Sequence, residues 1–90
     1  MPSYNAPVAD YDFLLFDVLE IEKHKDLPGY ADLDRATVRD VLGGAGKFVS
    51  EVLQPLNQIG DEEGCQFENG VVRTPKGFKD AYQAFCDSGW

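Results

Sequence analysis

The chain has 90 residues, of which 43% are hydrophobic and 12% aromatic, so it can form one small domain. Domains much smaller than this usually need disulfides or bound metals to fold. Its net charge of −8 and its pI near 4.3 argue against nucleic acid and against an anionic membrane as partners, because both are bound through basic surfaces.

The acidic residues are unevenly distributed along the chain. Residues 1–34 hold eight acids against two bases, and three more acids follow one another at Asp61, Glu62 and Glu63. Residues 35–59 are nearly neutral, with two acids and three bases. We interpret the acidic regions as solvated surface, with a docking surface for a basic partner as the alternative.

We expect no signal peptide, because the first residues have neither a basic start nor an apolar run before small residues. No stretch approaches the roughly 18 apolar residues that cross a bilayer. We therefore expect a soluble, cytoplasmic protein in which Cys65 and Cys86 are reduced thiols.

The first third of the chain predicts an extended arm followed by a helix. Residues 1–9 contain two prolines and are predicted to be extended. Asp10 is the predicted cap of the first helix, and Asp12 is predicted to lie in its first turn. The helix is apolar on more than one face, so we expect its surface around Phe13 and Phe16 to meet another domain or subunit. A connector over residues 23–30 follows.

A long amphipathic helix is predicted from Arg35, with Asp32 or Asp34 as its cap and Gly60 as its end. Pro55 is expected to kink its last turn. Spacings of three and four place one set of apolar side chains on a single stripe, against which the rest of the chain should pack. These residues are Val38, Val41, Leu42, Ala45, Phe48, Val49, Val52, Leu53 and Leu56.

Three glycines, Gly43, Gly44 and Gly46, interrupt this helical pattern. Each costs about 1 kcal/mol relative to alanine in a helix interior. Either the helix is kinked or split there, or the glycines allow a neighbouring segment to approach closely. The apolar stripe continues on both sides, which favours a continuous helix.

The last third predicts a hairpin and a final helix. Asn69-Gly70 between residues 66–68 and 71–73 is the strongest short hairpin signal, and we expect this hairpin to lean on the helices. Thr74 is the predicted cap of the final helix, Pro75 its first residue and Gly89 its stop. Its predicted buried face consists of Phe78, Ala81, Tyr82, Phe85 and Cys86. Trp90 is expected to pack against a segment that follows it. The predicted fold is therefore mainly α, with three main helices and one short β-hairpin.

No pattern in the sequence predicts a catalytic, cofactor-binding or metal-ligating residue. The segment Gly43–Lys47 lacks the earlier glycine and the later serine or threonine of a phosphate-binding loop. A calcium loop starting at Asp61 needs glycine at its sixth position, where Gln66 stands. His24, the single histidine, lies in the predicted connector, and the two cysteines are far from it in the sequence. It therefore predicts neither a zinc site nor a nucleophile–base pair.

The stretches EVLQPLNQIGDEEGC and NGVVRTPKGFKDAY, together with the closing Gly89-Trp90, resemble the N-terminal domain of bacterial acyl-CoA dehydrogenases, in the long subfamily that includes methylthiopropanoyl-CoA dehydrogenases. The opening residues resemble the start of those enzymes, so the resemblance covers residues 1–90 as one N-terminal-like helical domain. It implies that the chain supports a flavin-binding catalytic body, in which a glutamate removes the α-proton of an acyl-CoA thioester and FAD accepts the hydride. The catalytic and FAD residues of that family belong to later parts of its chain, so none is carried over here.

Two functional hypotheses follow. In the first, the chain is the N-terminal domain or a truncated piece of an FAD-dependent acyl-CoA dehydrogenase, inactive alone, with the catalytic body or a second subunit as partner and with homo-oligomerisation open. In the second, it is a free-standing acidic helical module that binds a protein through its first helix. Whether to class the chain as an enzyme stays open.

Overall fold

The computed structural model describes residues 3–90 and confirms the mainly α fold class with one antiparallel hairpin. The chain divides into two compact units. We call Asn5–Lys47 the helix-pair unit, and Phe48–Trp90 together with the described residues Ser3 and Tyr4 the hairpin unit. No helix within residues 3–90 combines the length and the apolar character needed to span a membrane.

The first helix of the helix-pair unit, α1, spans Val8–Asp12 and continues as a π-helical stretch over Phe13–Val18. It begins two residues before the predicted cap, so Asp10 lies in its first turn and Asp12 is its last residue. The two predictions for these aspartates were therefore wrong. Of the predicted extended arm, residues 3–7 precede the helix, and Met1 and Pro2 lie outside the described residues. Glu20, with φ of 48°, ends the helical path before a short 3-10 helix at Ile21–His24.

The second helix, α2, spans Arg35–Phe48. Of the two candidate caps, Asp34 performs this role, because its Oδ1 accepts a hydrogen bond of 2.8 Å from the backbone N–H of Thr37. That hydrogen bond also lowers the pKa of the Asp34 carboxyl.

The glycines of α2 do not split the helix, which confirms the prediction of continuity. Gly46 instead faces the start of the chain. A Cβ placed on it would lie 2.9 Å from the Cβ of Ala6 and 3.6 Å from Cγ2 of Val8. Gly43 has nothing within 4 Å of such a Cβ. Close approach therefore explains Gly46 and leaves Gly43 without a packing reason.

Every residue from Arg35 to Glu63 is helical, but the geometry changes before Pro55. A π-helical stretch covers Val49–Leu53, and the third α-helix, α3, spans Gln54–Glu63. The N–H of Gln54 donates to the carbonyl of Val49, five residues earlier. This wider turn accommodates the proline ring, which would clash with the preceding turn of a regular α-helix.

The predicted end of this helix at Gly60 was wrong. α3 continues to Glu63 and ends at Gly64, which has φ of 67° and donates its N–H to the carbonyl of Gly60 at 2.9 Å. The three consecutive acids at positions 61–63 are thus the last turn of α3 and not a turn after it. Gly60 has a packing role instead, described below.

The hairpin was predicted correctly. β1 spans Gln66–Glu68 and β2 spans Val71–Arg73, with Phe67 opposite Val72. Asn69 and Gly70 both have positive φ, 53° and 76°, as a tight two-residue turn requires. All six strand residues are exposed, and Phe67 retains 76% of its accessible surface. The expectation that the hairpin leans on the helices was therefore wrong.

The last helix, α4, spans Phe78–Asp87, so the predicted start at Thr74 and Pro75 was also wrong. Gly77, with φ of 92°, is its N-cap, and Pro75 lies in the turn before it. The predicted stop is confirmed, since Gly89 has φ of 83° directly after the last turn.

Very little apolar surface is buried in either unit. Among residues 3–90, the buried hydrophobic side chains are Phe16 in the helix-pair unit and Ala81 in the hairpin unit. Phe16 does not form the predicted external contact surface, whereas Phe13 is 56% exposed, as that prediction requires. The predicted buried face of α4 is reduced to Ala81, because Phe78, Tyr82, Phe85 and Cys86 are exposed.

Candidate binding groove and arginine cluster

The hairpin unit contains an open groove of about 680 Å³. Helix α4 runs antiparallel to the helical stretch between Phe48 and Gly60 beside the groove, because Phe48 contacts Phe85 at one end and Gly60 meets Phe78 at the other. The groove is lined by Phe48, Leu53, Leu56, Asn57, Gly60, Asp61, Cys65, Pro75, Phe78, Ala81, Tyr82 and Phe85. Most of these side chains are apolar, so the groove is suited to apolar groups.

Two glycines allow α3 and the start of α4 to lie close together. A Cβ on Gly60 would lie 2.7 Å from Cζ of Phe78, so the phenyl ring rests directly on the helix backbone. A Cβ on Gly77 would lie 2.7 Å from Cδ2 of Leu56. Because Gly77 also has φ of 92°, this position favours glycine for two independent reasons.

The turn that leads into α4 is attached to the end of α3. Glu63 Oε2 accepts a hydrogen bond of 3.2 Å from the backbone N–H of Lys76. Pro75, one residue earlier, is buried and lines the groove. At the other end, the rings of Phe48 and Phe85 meet edge to face, with centroids 5.9 Å apart and planes at 60°.

The polar groups of the groove are few. Asn57, Asp61, Cys65 and Tyr82 contribute to its lining. Within residues 3–90, the side chain of Asp61 has no hydrogen-bond or ion-pair partner. A hydrogen bond with the side chain of Cys86 raises the pKa of Tyr82. Both cysteines are exposed free thiols.

The described residues contain no cluster of three or more histidine, cysteine or acidic side chains that could hold a metal ion. His24 lies on the short 3-10 helix of the helix-pair unit, and Lys47 lies near the end of α2. The groove has carboxylate, amide, thiol and phenol groups but neither histidine nor a basic side chain in its lining. This arrangement is suited to binding an apolar group.

The second polar arrangement is an arginine cluster in the helix-pair unit, formed by Asp12, Arg35 and Arg39. Asp12 Oδ2 accepts hydrogen bonds of 2.9 Å from Nη2 of Arg35 and 3.0 Å from Nη2 of Arg39. Its Oδ1 accepts a hydrogen bond of 2.8 Å from Nε of Arg39. The guanidiniums of Arg39 and Arg35 hold the pKa of Asp12 well below its usual range, and Asp12 in turn raises the pKa of both arginines.

Arg35 also connects this cluster to the buried ring of the unit. Its guanidinium carbon lies 5.3 Å from the ring centroid of Phe16, and its Nη2 lies 3.6 Å from Oδ2 of Asp17. With Asp12 and Asp17 facing Arg35 and Arg39, the local charges cancel. The cluster therefore holds α1 against α2 and has no excess positive charge for an anionic ligand.

The sequence prediction placed Asp12 in a first turn and did not identify its partners. One signal was available, because arginines at positions 35 and 39 are four residues apart and must share a helix face. The sequence did not reveal which carboxylate they meet. The groove was partly foreseen, since four of the five residues predicted for the buried face of α4 line it and only Cys86 does not.

No protein-family profile matches the chain. It is 38% identical over 88 residues to a 3-methylmercaptopropionyl-CoA dehydrogenase of Ruegeria pomeroyi, a match that covers 98% of this chain and 15% of that protein. It is 35% identical over 75 residues to a butyryl-CoA dehydrogenase of Syntrophomonas wolfei, covering 80% of this chain and 12% of the relative.

A third match, 28% identical over 92 residues, is a broad-specificity linear acyl-CoA dehydrogenase of Mycobacterium tuberculosis, of which 15% is covered. The chain thus spans 12–15% of the length of these three relatives. All three matched proteins are named as dehydrogenases of acyl-CoA thioesters, and each match covers at least 80% of this chain. The chain is therefore a relative of the acyl-CoA dehydrogenases, as the sequence resemblance implied.

Proposed function

We propose that this chain is the N-terminal helical segment of an FAD-dependent acyl-CoA dehydrogenase and that it supports the catalytic body, which oxidises acyl-CoA thioesters to enoyl-CoA. The observation that carries the proposal is the 38% identity over 98% of the chain to 15% of one such enzyme. On this proposal the segment has no activity alone, and its partner is the remaining polypeptide of the enzyme.

The exposure of apolar side chains supports a role beside a larger body. Leu19 is 61% exposed, Phe67 76%, Val72 63% and Tyr82 69%. Each exposed apolar Å² that a partner covers contributes about 25 cal/mol. Residues of this kind occur in both units, which agrees with a segment that gains much of its stability from contact with another part of a protein.

The lining of the groove contains no cationic side chain for the phosphates of FAD. The pyrophosphate of a dinucleotide is held by backbone N–H groups at helix N-termini or by arginine and lysine. The groove is lined by no basic side chain, and its one charged residue is the carboxylate of Asp61. We therefore assign the flavin to the catalytic body and no residue of this chain to its binding.

A chimera tests the proposal. In the Ruegeria pomeroyi enzyme, the segment that aligns with this chain is either deleted or replaced by this chain, and both proteins are assayed for flavin content and for acyl-CoA oxidation. We expect the deletion to lose flavin and activity and the replacement to retain both. The purified 90-residue chain should be colourless and inactive.

Two results would contradict the proposal. Stoichiometric flavin absorbance on the isolated chain would place a cofactor site within it. A chimera as inactive as the deletion, together with a stable monomeric isolated chain, would favour the alternative of a free-standing acidic module whose exposed Phe13 contacts another protein.

A further inference from the structure

We propose that the groove of the hairpin unit is covered by one segment of the dehydrogenase body, which inserts apolar side chains between α3 and α4 and places a lysine or arginine against Asp61. This inference rests on the proposed function and assigns it a contact surface and a partner chemistry.

The groove has an open shape. Its walls remain accessible, with Tyr82 69% exposed and Leu53 and Phe85 each 42% exposed. A site for a small molecule encloses 70–90% of its ligand, roughly, which walls as accessible as these do not do. An open groove of this kind is suited to a row of apolar side chains from another polypeptide segment.

The hairpin unit carries an excess of acidic side chains. Phe48–Trp90 contains seven acids and three bases. The ion pairs of the described residues all lie between Asp12 and Arg39, within the helix-pair unit. Asp61 therefore stands at an apolar groove without a cation from the described part of its own chain. A covering segment that desolvates this carboxylate must supply a positive partner, because an unpaired buried charge is costly.

The same charges argue against a second copy of this chain as the occupant. Two identical hairpin units with an excess of four acids each would place like charges beside one another, and the lining offers no basic side chain to pair with Asp61. A segment of different composition satisfies both the apolar walls and the carboxylate.

Cys65 provides a reporter for this contact, because it lines the groove and its thiol is exposed. The experiment measures iodoacetamide alkylation of Cys65, resolved by peptide mass spectrometry, in the isolated chain and in the active chimera described above. We expect alkylation to be about tenfold slower in the chimera, since the thiol reacts only in the fraction of molecules whose groove is open.

Two variants test which residues hold the covering segment. Asp61→Asn and Phe85→Ala should each reduce the protection of Cys65 by about threefold or more, when each chimera is compared with its own isolated chain. The matched control is Asp40→Asn, an exposed carboxylate on α2, which should leave the protection unchanged. Replacing Asp61 also removes an acid from the C-terminal turn of α3, so the variant should fold at least as well as the parent.

The outcomes separate the two proposals. An active chimera in which Cys65 reacts as fast as in the isolated chain would overturn the groove inference and leave the supporting role intact. Equal protection in the Asp61→Asn and parent chimeras would overturn the assignment of a cationic partner. If the chimera neither binds flavin nor turns over, it is the proposed function that fails. Slow alkylation in the isolated chain, with self-association, would identify a second copy as the occupant and contradict the proposal.

Discussion

The two units of this chain are held together by different chemistry. In the helix-pair unit, the carboxylate of Asp12 accepts hydrogen bonds from two arginines, and one of these lies over the buried ring of Phe16. In the hairpin unit, an aromatic ring rests on Gly60, and no ion pair occurs among the described residues. In the first unit, Asp12 and both arginines are paired with one another. The second leaves an apolar groove and an unpaired Asp61 open, which is why we place the binding surface there.

The largest expected effect comes from the buried aromatic ring of the helix-pair unit. Phe16→Ala should reduce the free energy of unfolding by about 3–5 kcal/mol, because Phe16 is 7% exposed and no other large apolar side chain in residues 3–90 is buried. Phe13→Ala, in the same helical stretch but 56% exposed, is the matched control and should cost less than about 1 kcal/mol. Chemical denaturation followed by circular dichroism measures both.

Phe85→Ala makes the same change in the hairpin unit. Phe85 is 42% exposed and retains mainly its edge-to-face contact with Phe48, so we expect a loss of about 1–2 kcal/mol in the isolated chain. A loss as large as that of Phe16→Ala would remove the contrast between the units. It would mean that the walls of the groove are packed as tightly as an interior and are not available to a partner.

Three local signals in the sequence predicted local structure correctly, whereas the local cap signals at Asp10 and Thr74 did not. Asn69-Gly70 gave the hairpin and its register, since both residues adopt the positive φ that this turn requires. One of two candidate aspartates was confirmed as the cap of α2, and Gly89 was confirmed as the end of α4. In each case the interaction lies within a few residues of the signal, so the residue types at those positions determine the local backbone structure.

Predictions that depend on distant residues failed or were incomplete. Asp12 is paired with residues more than 20 positions away, and no local pattern identifies that pairing. Gly60 was taken as a helix end because glycine usually has that role, but Phe78 packs on it and the helix continues. The groove arises from these contacts between α3 and α4, and it could be anticipated only as an apolar face of the last helix.

The glycines of α2 give effects comparable in size to that of Phe85→Ala. Gly46→Ala should destabilise the chain by about 1–3 kcal/mol, because its new Cβ would lie 2.9 Å from a Cβ that is fixed to the backbone of Ala6. Gly43→Ala, three residues earlier in the same helix, meets open space and should stabilise by about 1 kcal/mol. Thermal unfolding of the two variants compares them directly. Equal stabilisation by both would show that the start of the chain does not pack on α2.

The effect that best separates the two units is the acid dependence of the arginine cluster. The pKa of Asp12 is lower in the folded chain than the value of about 3.9 in an unfolded chain. A lowered carboxyl pKa contributes stability that is complete above the unfolded value and is lost as the pH falls toward the folded value. Asp34, whose pKa is lowered by its cap hydrogen bond, contributes in the same direction.

Asp12→Asn should therefore reduce the loss of thermal stability between about pH 5 and about pH 2, whereas Asp40→Asn should leave it unchanged. Residue-resolved amide exchange should locate that acid sensitivity in Asn5–Lys47. The contrary result is an acid response in the hairpin unit of the Asp12→Asn variant that is as large as the response of the parent's helix-pair unit. It would show that carboxylates of the hairpin unit have cationic partners. Asp61 would then require none from the catalytic body.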